Sequence, residues 1–350
     1  MNKTFVSFPQ FGIEELELNK IAFTLFGTVQ VRWYGLIITT GIFLAFLYAI
    51  WRGKKNENVS SDDIIDIGLL TVVLGVIGAR AYYVLTTLEN YQTFWDAIAV
   101  WEGGLGIYGG IIGGCIGILI VCAWKKISWR KLFDMIAPGV MIAQALGRWG
   151  NFFNGEAYGY AIGNTTRFFF FNTEFVLTSG EGTVFHFFRM GLKQFGTWIY
   201  YHPTFLYESA WNVLGFILVN LFYKHKKFHG QIALMYFTWY GFGRMFIEGF
   251  RTDSLYIPGT SLRISQCVGL ACFLVCGLML IVLSFRARGK APLFEREAAE
   301  GEAVAVATVE ETAEDEEKPE QSRWMQLMES VLCKHRKDGA EGNDDHGNEN

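Results

Sequence analysis

The sequence predicts an all-α polytopic membrane protein of about seven transmembrane helices, with a small extracytoplasmic head inserted between spans four and five. Three observations carry this. Apolar residues make up 51% of the 350 and gather into runs of bilayer-spanning length, charge is partitioned between alternate loops, and one polar, glycine-punctuated stretch, 147–159, closes an apolar run.

The runs lie near 31–51, 64–84, 105–124, 132–149, 204–223, 231–247 and 264–285. Each approaches the roughly 20 residues that cross a hydrocarbon layer. A mean hydropathy of +0.23 with only six prolines argues against one or two soluble domains. The formal charge of −4 says little as a total, because Lys and Arg cluster in alternate loops: Arg52, Lys54 and Lys55; Lys125, Lys126, Arg130 and Lys131; Lys224, Lys226 and Lys227; Arg286, Arg288 and Lys290. Segments 88–100 and 252–260 hold neither residue type. By the positive-inside rule the basic loops are cytoplasmic, which puts the N-terminus outside and the C-terminus inside. The six cysteines, Cys115, Cys122, Cys267, Cys272, Cys276 and Cys333, form no Cys-x-x-Cys pair and read as apolar packing residues. Residues 1–20 lack the basic start, apolar middle and small-residue cleavage site of a signal peptide, so the first span is expected to stay as an anchor.

In chain order, 5–18 mixes apolar and acidic residues and reads as an outer-surface segment, with an interfacial helix among its forms. The first span opens with Arg32, Trp33 and Tyr34, residues suited to an interface anchor. The second ends in Gly78, Ala79, Arg80, Tyr82 and Tyr83, where Arg80 faces the outer side against the charge bias. Trp101, Glu102, Gly103, Gly104, Gly106, Tyr108, Gly109 and Gly110 begin the third, which continues through Gly113, Gly114 and Gly117. Such glycine density suits close helix packing or a re-entrant, ligand-lining backbone. The fourth carries Pro138 and Gln144 and leads into 158–201, rich in aromatics and β-formers, where a hairpin-bearing head is expected. His202, Pro203, Thr204, Tyr207 and Glu208 start the fifth. On the sixth, Tyr240, Arg244, Glu248 and Arg251 recur at helical spacing and share one face, which must turn toward other helices or a watery cavity. Beyond Lys290 the composition turns acidic and Ala-rich, as in a disordered cytoplasmic tail, with a short amphipathic helix expected over 324–337.

The polar groups of 147–159, Arg148, Asn151, Asn154 and Glu156, stand at the edge of a hydrocarbon layer, where an unpaired polar group costs several kcal/mol by rough estimate. Arg148, Arg244 and Arg251, with Arg80, offer more cations than pairing with Glu156, Glu208 and Glu248 requires. Guanidinium forks suit phosphate oxygens, and the nearest abundant phosphates are lipid head groups. Tyr34, Tyr108, Tyr240, His202 and Asn151 supply hydrogen-bond donors and a proton acceptor beside them. Ion pairs that merely hold helices together are the plain alternative for any single residue. An ion path would use similar residues but calls for paired inverted repeats, and the sequence shows no internal repeat. A lipid-binding scaffold with a recruiting tail is the third reading.

The run Gly147-Arg148-Trp149-Gly150-Asn151-Phe152-Phe153-Asn154-Gly155-Glu156 followed by Gly159 resembles the signature of bacterial prolipoprotein diacylglyceryl transferases. Arg32-Trp33-Tyr34-Gly35, Gly78-Ala79-Arg80, Gly103-Gly104, His202-Pro203-Thr204 with Tyr207-Glu208, Tyr240-Gly241-Phe242-Gly243-Arg244 with Glu248 and Arg251, and Ser265-Gln266 fall in the family's order, so the resemblance covers roughly 32–285. It implies a multi-pass protein of the bacterial cytoplasmic membrane with residues 1–290 as a transmembrane catalytic domain, 158–201 as its head and 291–350 as a tail. The implied reaction moves the sn-1,2-diacylglyceryl group of phosphatidylglycerol to the lipobox cysteine thiol of a prolipoprotein signal peptide, forming a thioether and releasing glycerol phosphate. No metal, soluble cofactor or nucleic acid is implied. By the same resemblance Arg148 and Arg244 hold the head group and departing phosphate, Asn151, Glu156, Tyr34 and Tyr240 orient lipid and cations, and Glu248 and Arg251 support them. At the place where the enterobacterial pattern carries a histidine proposed as base, this sequence has Tyr108, as Gram-positive members resemble. Neutral tyrosine is a poor base at pH 7. Either guanidinium groups favour its phenolate, or His202 or a carboxylate takes the proton, or Tyr108 only donates a hydrogen bond. His202 is accordingly expected to matter more here than in the family pattern.

Overall fold

The computed structural model describes residues 3–27, 29–90, 93–100, 103–304, 325, 327, 328 and 330. The chain divides into two compact units, Met1–Pro292 and Leu293–Asn350. In the second, 293–304 is helical, while most of the expected tail, with Cys333 and nearly all of the expected 324–337 helix, lies outside the described residues, as do Trp101 and Glu102.

The first unit begins with strands β1 (Lys3–Phe8), β2 (Ile13–Asn19), β3 (Ile21–Leu25) and β4 (Val29–Arg32). Helices α1 (Trp33–Arg52), α2 (Ser61–Thr86), the short α3 (Phe94–Ile98), α4 (Ile107–Lys125) and α5 (Trp129–Asn154) follow. Then come β5 (Thr165–Phe170), β6 (Thr173–Thr178), the one-turn α6 (Val184–Phe187), β7 (Met190–Gln194), β8 (Thr197–Tyr201), α7 (Thr204–Phe222), α8 (Gln231–Ile247) and α9 (Ile264–Arg286). Five of these helices, α1, α2, α4, α7 and α9, are long and apolar enough to cross a membrane, the mark of a polytopic membrane protein. The other two long ones fall short for visible reasons. α5 carries Arg130, Lys131, Asp134, Gln144, Arg148 and Asn151 along its length, and α8 has only 17 residues.

Local sequence explains the helix ends. At α2 the Ser60 hydroxyl accepts from the Asp63 N–H at 3.1 Å, and Asp62 and Asp63 face the positive end of the helix dipole. α5 ends where Gly155 turns left-handed at φ +63° and its N–H donates to the Phe152 carbonyl at 3.0 Å. The third-span glycines do the packing expected of them. A Cβ on Gly109 would sit 2.1 Å from the Gly78 carbonyl oxygen and one on Gly113 2.2 Å from that of Leu74, so α2 and α4 meet backbone to backbone. Just ahead of α4 the described backbone is irregular over 103–106, and Arg80 pins it. Its guanidinium donates to the carbonyls of Asp96, Ala97, Gly103 and Gly104 at 2.6 to 3.1 Å.

The N-terminal segment departs from expectation. Residues 5–18 form strands rather than an interfacial helix, because Leu16 and Leu18 alternate with Glu15 and Glu17 at a period of two. They join a four-stranded antiparallel sheet of order β2-β1-β7-β8, in which Val6 pairs with Leu192. The sheet is therefore shared between the N-terminus and 158–201. Its inner face, Val6, Leu18, Met190 and Leu192, packs on Phe152 at the end of α5 and Phe205 at the start of α7.

At the opposite ends of these helices a second polar group is sealed from solvent. Lys226 is wholly buried between Glu57 and Asp134, the latter 3.3 Å away. The Tyr223 hydroxyl donates to Glu57 at 2.7 Å, and Asp134 accepts from the Gly230 and Ala233 N–H groups at 2.8 and 3.0 Å. Lys226 thus joins chain segments through two buried carboxylates.

Candidate active site

Glu208 is the centre of the site. It sits one turn into α7 with only 3% of its side chain exposed, and its two carboxylate oxygens are claimed by different helices. Arg148 Nη2, from α5, donates to Oε1 at 2.8 Å; Arg244 Nη1, from α8, donates to Oε2 at 2.8 Å. Arg251 Nη1 lies 4.0 Å from Oε2, and the Tyr240 hydroxyl donates to Oε1 at 3.5 Å. A buried carboxylate is stable only with such partners.

Tyr240 and Arg244 share a face of α8 as their spacing foretold, whereas Glu248 and Arg251, expected on the same helix, lie just past its end at Ile247 and still gather at Arg244. Arg244 Nη2 is 2.7 Å from Glu248 Oε2, and Arg251 Nε is 4.0 Å from the same atom. Arg251 also forks onto Asp253, donating through Nε and Nη2 at 2.9 and 2.8 Å. Burial would raise the Asp253 carboxyl, but this fork holds it below the usual carboxylate range. Behind Glu248, the buried Arg263 donates to its backbone carbonyl at 2.8 Å. Arg148, Arg244 and Arg251 thus face Glu208, Glu248 and Asp253, charge for charge. The expected excess of cations is not present in this cluster, because Arg80 serves backbone carbonyls elsewhere and Asp253 joins as a third acid.

Other expected residues are placed less centrally. The Tyr34 ring lies against Gly150, where a Cβ would come within 3.0 Å of it, and so beside the Arg148 to Asn151 turn. Asn151 makes no side-chain hydrogen bond among the described residues. Glu156 is exposed and accepts from Asn154 at 3.0 Å instead of meeting an arginine, since the chain has already turned at Gly155. Tyr108 stands 6.1 Å, ring to ring, from Tyr82 of α2, and no hydrogen bond among the described residues joins it to the cluster.

His202, expected to take part as a proton acceptor, is hydrogen-bonded through both of its ring nitrogens. The Thr166 hydroxyl gives its proton to the Ala161 carbonyl at 2.9 Å, so it accepts from His202 Nε2–H at 2.9 Å. Nδ1 is left to accept from the Tyr207 hydroxyl at 3.1 Å. The ring is fully buried between Phe185 and Phe250, and burial lowers its pKa from 6.5 to about 4. Both nitrogens of the neutral imidazole are therefore engaged by hydroxyl groups. What His202 does is set Tyr207, and with it the entry of α7 that carries Glu208.

Sequence reasoning named Glu208 only as a possible ion-pair partner and missed its centrality. It also missed Asp253, and it named Ser265, whose hydroxyl lies 3.5 Å from Arg244 Nη2, only as part of the family pattern. Hydropathy offered one signal: a glutamate one turn inside an apolar helix needs cations from its neighbours.

The guanidinium groups of α5, α8 and the segment just after α8 thus surround the buried Glu208 carboxylate at the ends of apolar helices. A family model described as prolipoprotein diacylglyceryl transferase matches residues 20–283. A Clostridium perfringens (strain 13 / Type A) protein named "phosphatidylglycerol--prolipoprotein diacylglyceryl transferase 1" is 40% identical over 275 residues, 78% of this chain and 97% of its own length. A Streptococcus pneumoniae (strain ATCC 700669 / Spain 23F-1) protein of the same name without the numeral is 40% identical over 280 residues, 79% of this chain and 97% of its own length. With the family model spanning every helix that builds the site, and relatives matched almost end to end, the chain belongs to the prolipoprotein diacylglyceryl transferase family.

Proposed function

We propose that this protein transfers the diacylglyceryl group of phosphatidylglycerol to the lipobox cysteine of prolipoproteins. One observation carries the reading above the others: Arg148 and Arg244 grip the opposite oxygens of the single buried carboxylate of Glu208. A phosphodiester oxygen pair matches that carboxylate in charge and spread, so the lipid phosphate displaces Glu208 from the guanidinium edges it now occupies.

The exchange also supplies the proton acceptor. A buried carboxylate without its cations is costly to leave charged. Glu208 therefore takes the lipobox thiol proton as the phosphate takes its arginines. The thiolate attacks the glyceryl carbon, the carbon–oxygen bond to phosphate breaks, and its electron pair stays on the phosphate oxygen. Arg148 and Arg244 hold the charge that develops there, and Glu208 returns the proton to the departing glycerol phosphate. Arg251, Glu248 and Tyr240 hold Arg244 and Glu208 in register. Tyr34 and Asn151 line the approach beside Arg148, with Glu156 at its outer edge. Tyr108 keeps the least demanding of its roles, a hydrogen bond donated to substrate.

In this reading all seven long helices cross the cytoplasmic membrane of a bacterium. The sheet and the β5–β6 hairpin stand outside as the head, and the C-terminal unit lies in the cytoplasm. Arg52, Lys125, Lys126, Lys224 and Arg286, on the same alternate loops, support that orientation.

The deciding experiment incubates the purified protein with phosphatidylglycerol labelled in its acyl chains and a lipobox peptide. Labelled thioether is expected, and it should vanish with a Cys→Ala peptide. Failure to form it beside an active relative overturns the reading.

A further inference from the structure

Beneath the arginine cluster lies a second polar layer. α5 and α7 run antiparallel, and two contacts fix their register. Arg148 meets Glu208, and a Cβ on Gly215 would come within 3.0 Å of Met141 Cε. Each contact pair is seven residues, or two turns, apart on its own helix. The residues between them on the same faces are Gln144 and Asn212. From α8 the Tyr236 hydroxyl reaches in and accepts from Gln144 Nε2 at 2.9 Å, its ring stacked 5.9 Å from that of Tyr240. Three helices thus contribute an amide, an amide and a phenol one turn below Arg148, Glu208 and Tyr240.

The layer is unbalanced in one direction. Asn212 is wholly buried and donates Nδ2 to the Glu208 backbone carbonyl at 2.9 Å, but its Oδ1 accepts no hydrogen bond among the described residues. The buried Oε1 of Gln144 accepts none either. Buried acceptors without donors are costly, so the layer calls for a ligand bearing hydroxyl or N–H protons.

We propose that Gln144, Asn212 and Tyr236 form the subsite for the headgroup glycerol of the lipid donor, and so select phosphatidylglycerol among phospholipids. This rests on the transferase reading above. The chemistry excludes the other parts of the lipid: ester carbonyls are acceptors and meet acceptors here, and acyl chains would leave both amides unpaired. An ethanolamine head brings N–H donors but also a cation, placed one turn from three arginines in a poor dielectric. A neutral glycerol carries two hydroxyls, and its extended chain from the phosphoester oxygen to the terminal hydroxyl oxygen comes close to the roughly 5.4 Å rise of one helical turn. With its phosphate on Arg148 and Arg244, its hydroxyls come level with Gln144 Oε1 and Asn212 Oδ1, and the Tyr236 hydroxyl can donate to a glycerol oxygen.

The test compares two donors with the full chain in nanodiscs: phosphatidylglycerol and phosphatidylpropanol, which has the same phosphodiester and no headgroup hydroxyl. The unaltered protein is expected to favour phosphatidylglycerol in kcat/KM by about a hundredfold or more. Gln144→Leu with Asn212→Leu should bring that ratio down toward one, and the milder Gln144→Met and Tyr236→Phe should each narrow it by about tenfold. The proposal is overturned if the unaltered protein uses both lipids equally, or if the variants slow both donors together and keep the ratio. Gln144→Met, close to the native side chain in shape, decides the matter if the double variant does not fold. Absence of transfer from either lipid would sink the transferase reading itself, a result distinct from equal use of both.

Discussion

Glu208→Gln separates the proton acceptor from the scaffold. The substitution keeps shape and one acceptor oxygen while removing the charge that holds Arg148 and Arg244 at 2.8 Å each. Stripping one partner from a buried ion pair costs about 3 to 5 kcal/mol. Here the loss is smaller, since Arg244 keeps Glu248 at 2.7 Å and the Gln oxygen can still accept from Arg148. About 2 kcal/mol of destabilisation is expected, read as a lowered melting temperature in detergent. Phosphatidylglycerol binding, followed by native mass spectrometry, should hold or tighten, because the phosphate no longer competes with a carboxylate for the guanidinium groups. Transfer should fall by about 10²- to 10⁴-fold, the usual worth of a positioned base. The residue of activity should climb with pH toward the thiol's own pKa of about 8.5, where thiolate forms without help. Transfer at the unaltered rate would refute the role of Glu208 as base. Binding that collapses along with transfer would mean that the carboxylate only builds the site.

Replacing Arg148 or Arg244 by Lys keeps the charge but loses the planar fork, and transfer in the labelled-lipid assay should drop by about 10²-fold or more while the helices still pack. His202 makes stability depend on pH. Its folded pKa of about 4 lies below the ordinary 6.5, so the stability of the neutral ring is complete above pH 6.5 and is lost as pH falls toward 4. The depression corresponds to about 3 kcal/mol, and a melting curve taken between pH 7 and 4 should be flatter for His202→Gln than for the unaltered protein. Lys226→Met strands Glu57 and Asp134 in the interior and should cost about 3 to 5 kcal/mol in a denaturation measurement, with part regained on adding Glu57→Gln.

Much of the fold was legible because apolar run length alone marks a spanning helix, and the five most apolar helices follow the runs closely. The pair Tyr240 and Arg244 was legible for a related reason: neighbours at helical spacing belong to one helix and need no knowledge of the others, whereas Glu248 and Arg251 fall past the end of α8. Partners across helices carry no such signal. Nothing in the run around Glu208 says that Arg148 and Arg244 divide its oxygens, and nothing around Lys226 says that Glu57 waits for it, since each pairing depends on how separate helices dock. The sheet was hidden for the same reason, because β1 finds β7 only once α5 and α7 stand side by side. The partners of His202 were hidden in the same way. Nothing in the sequence around it says that Thr166 and Tyr207 take both of its nitrogens.

The shared sheet also sets an order of assembly. Val6 pairs with Leu192, so one edge of β1, whose other edge pairs with β2, stays open until four of the seven long helices have been synthesised and β7 emerges. At the usual pace of translation that wait lasts roughly ten to forty seconds. Through it the first hairpin exposes the apolar side of Val6 and Leu18, which Met190, Leu192 and Phe205 later cover. Release of β7 is then the step that ties the N-terminal hairpin to the segment between α5 and α7, and a bulky fusion ahead of Lys3 would delay that closure before it touched any residue of the site.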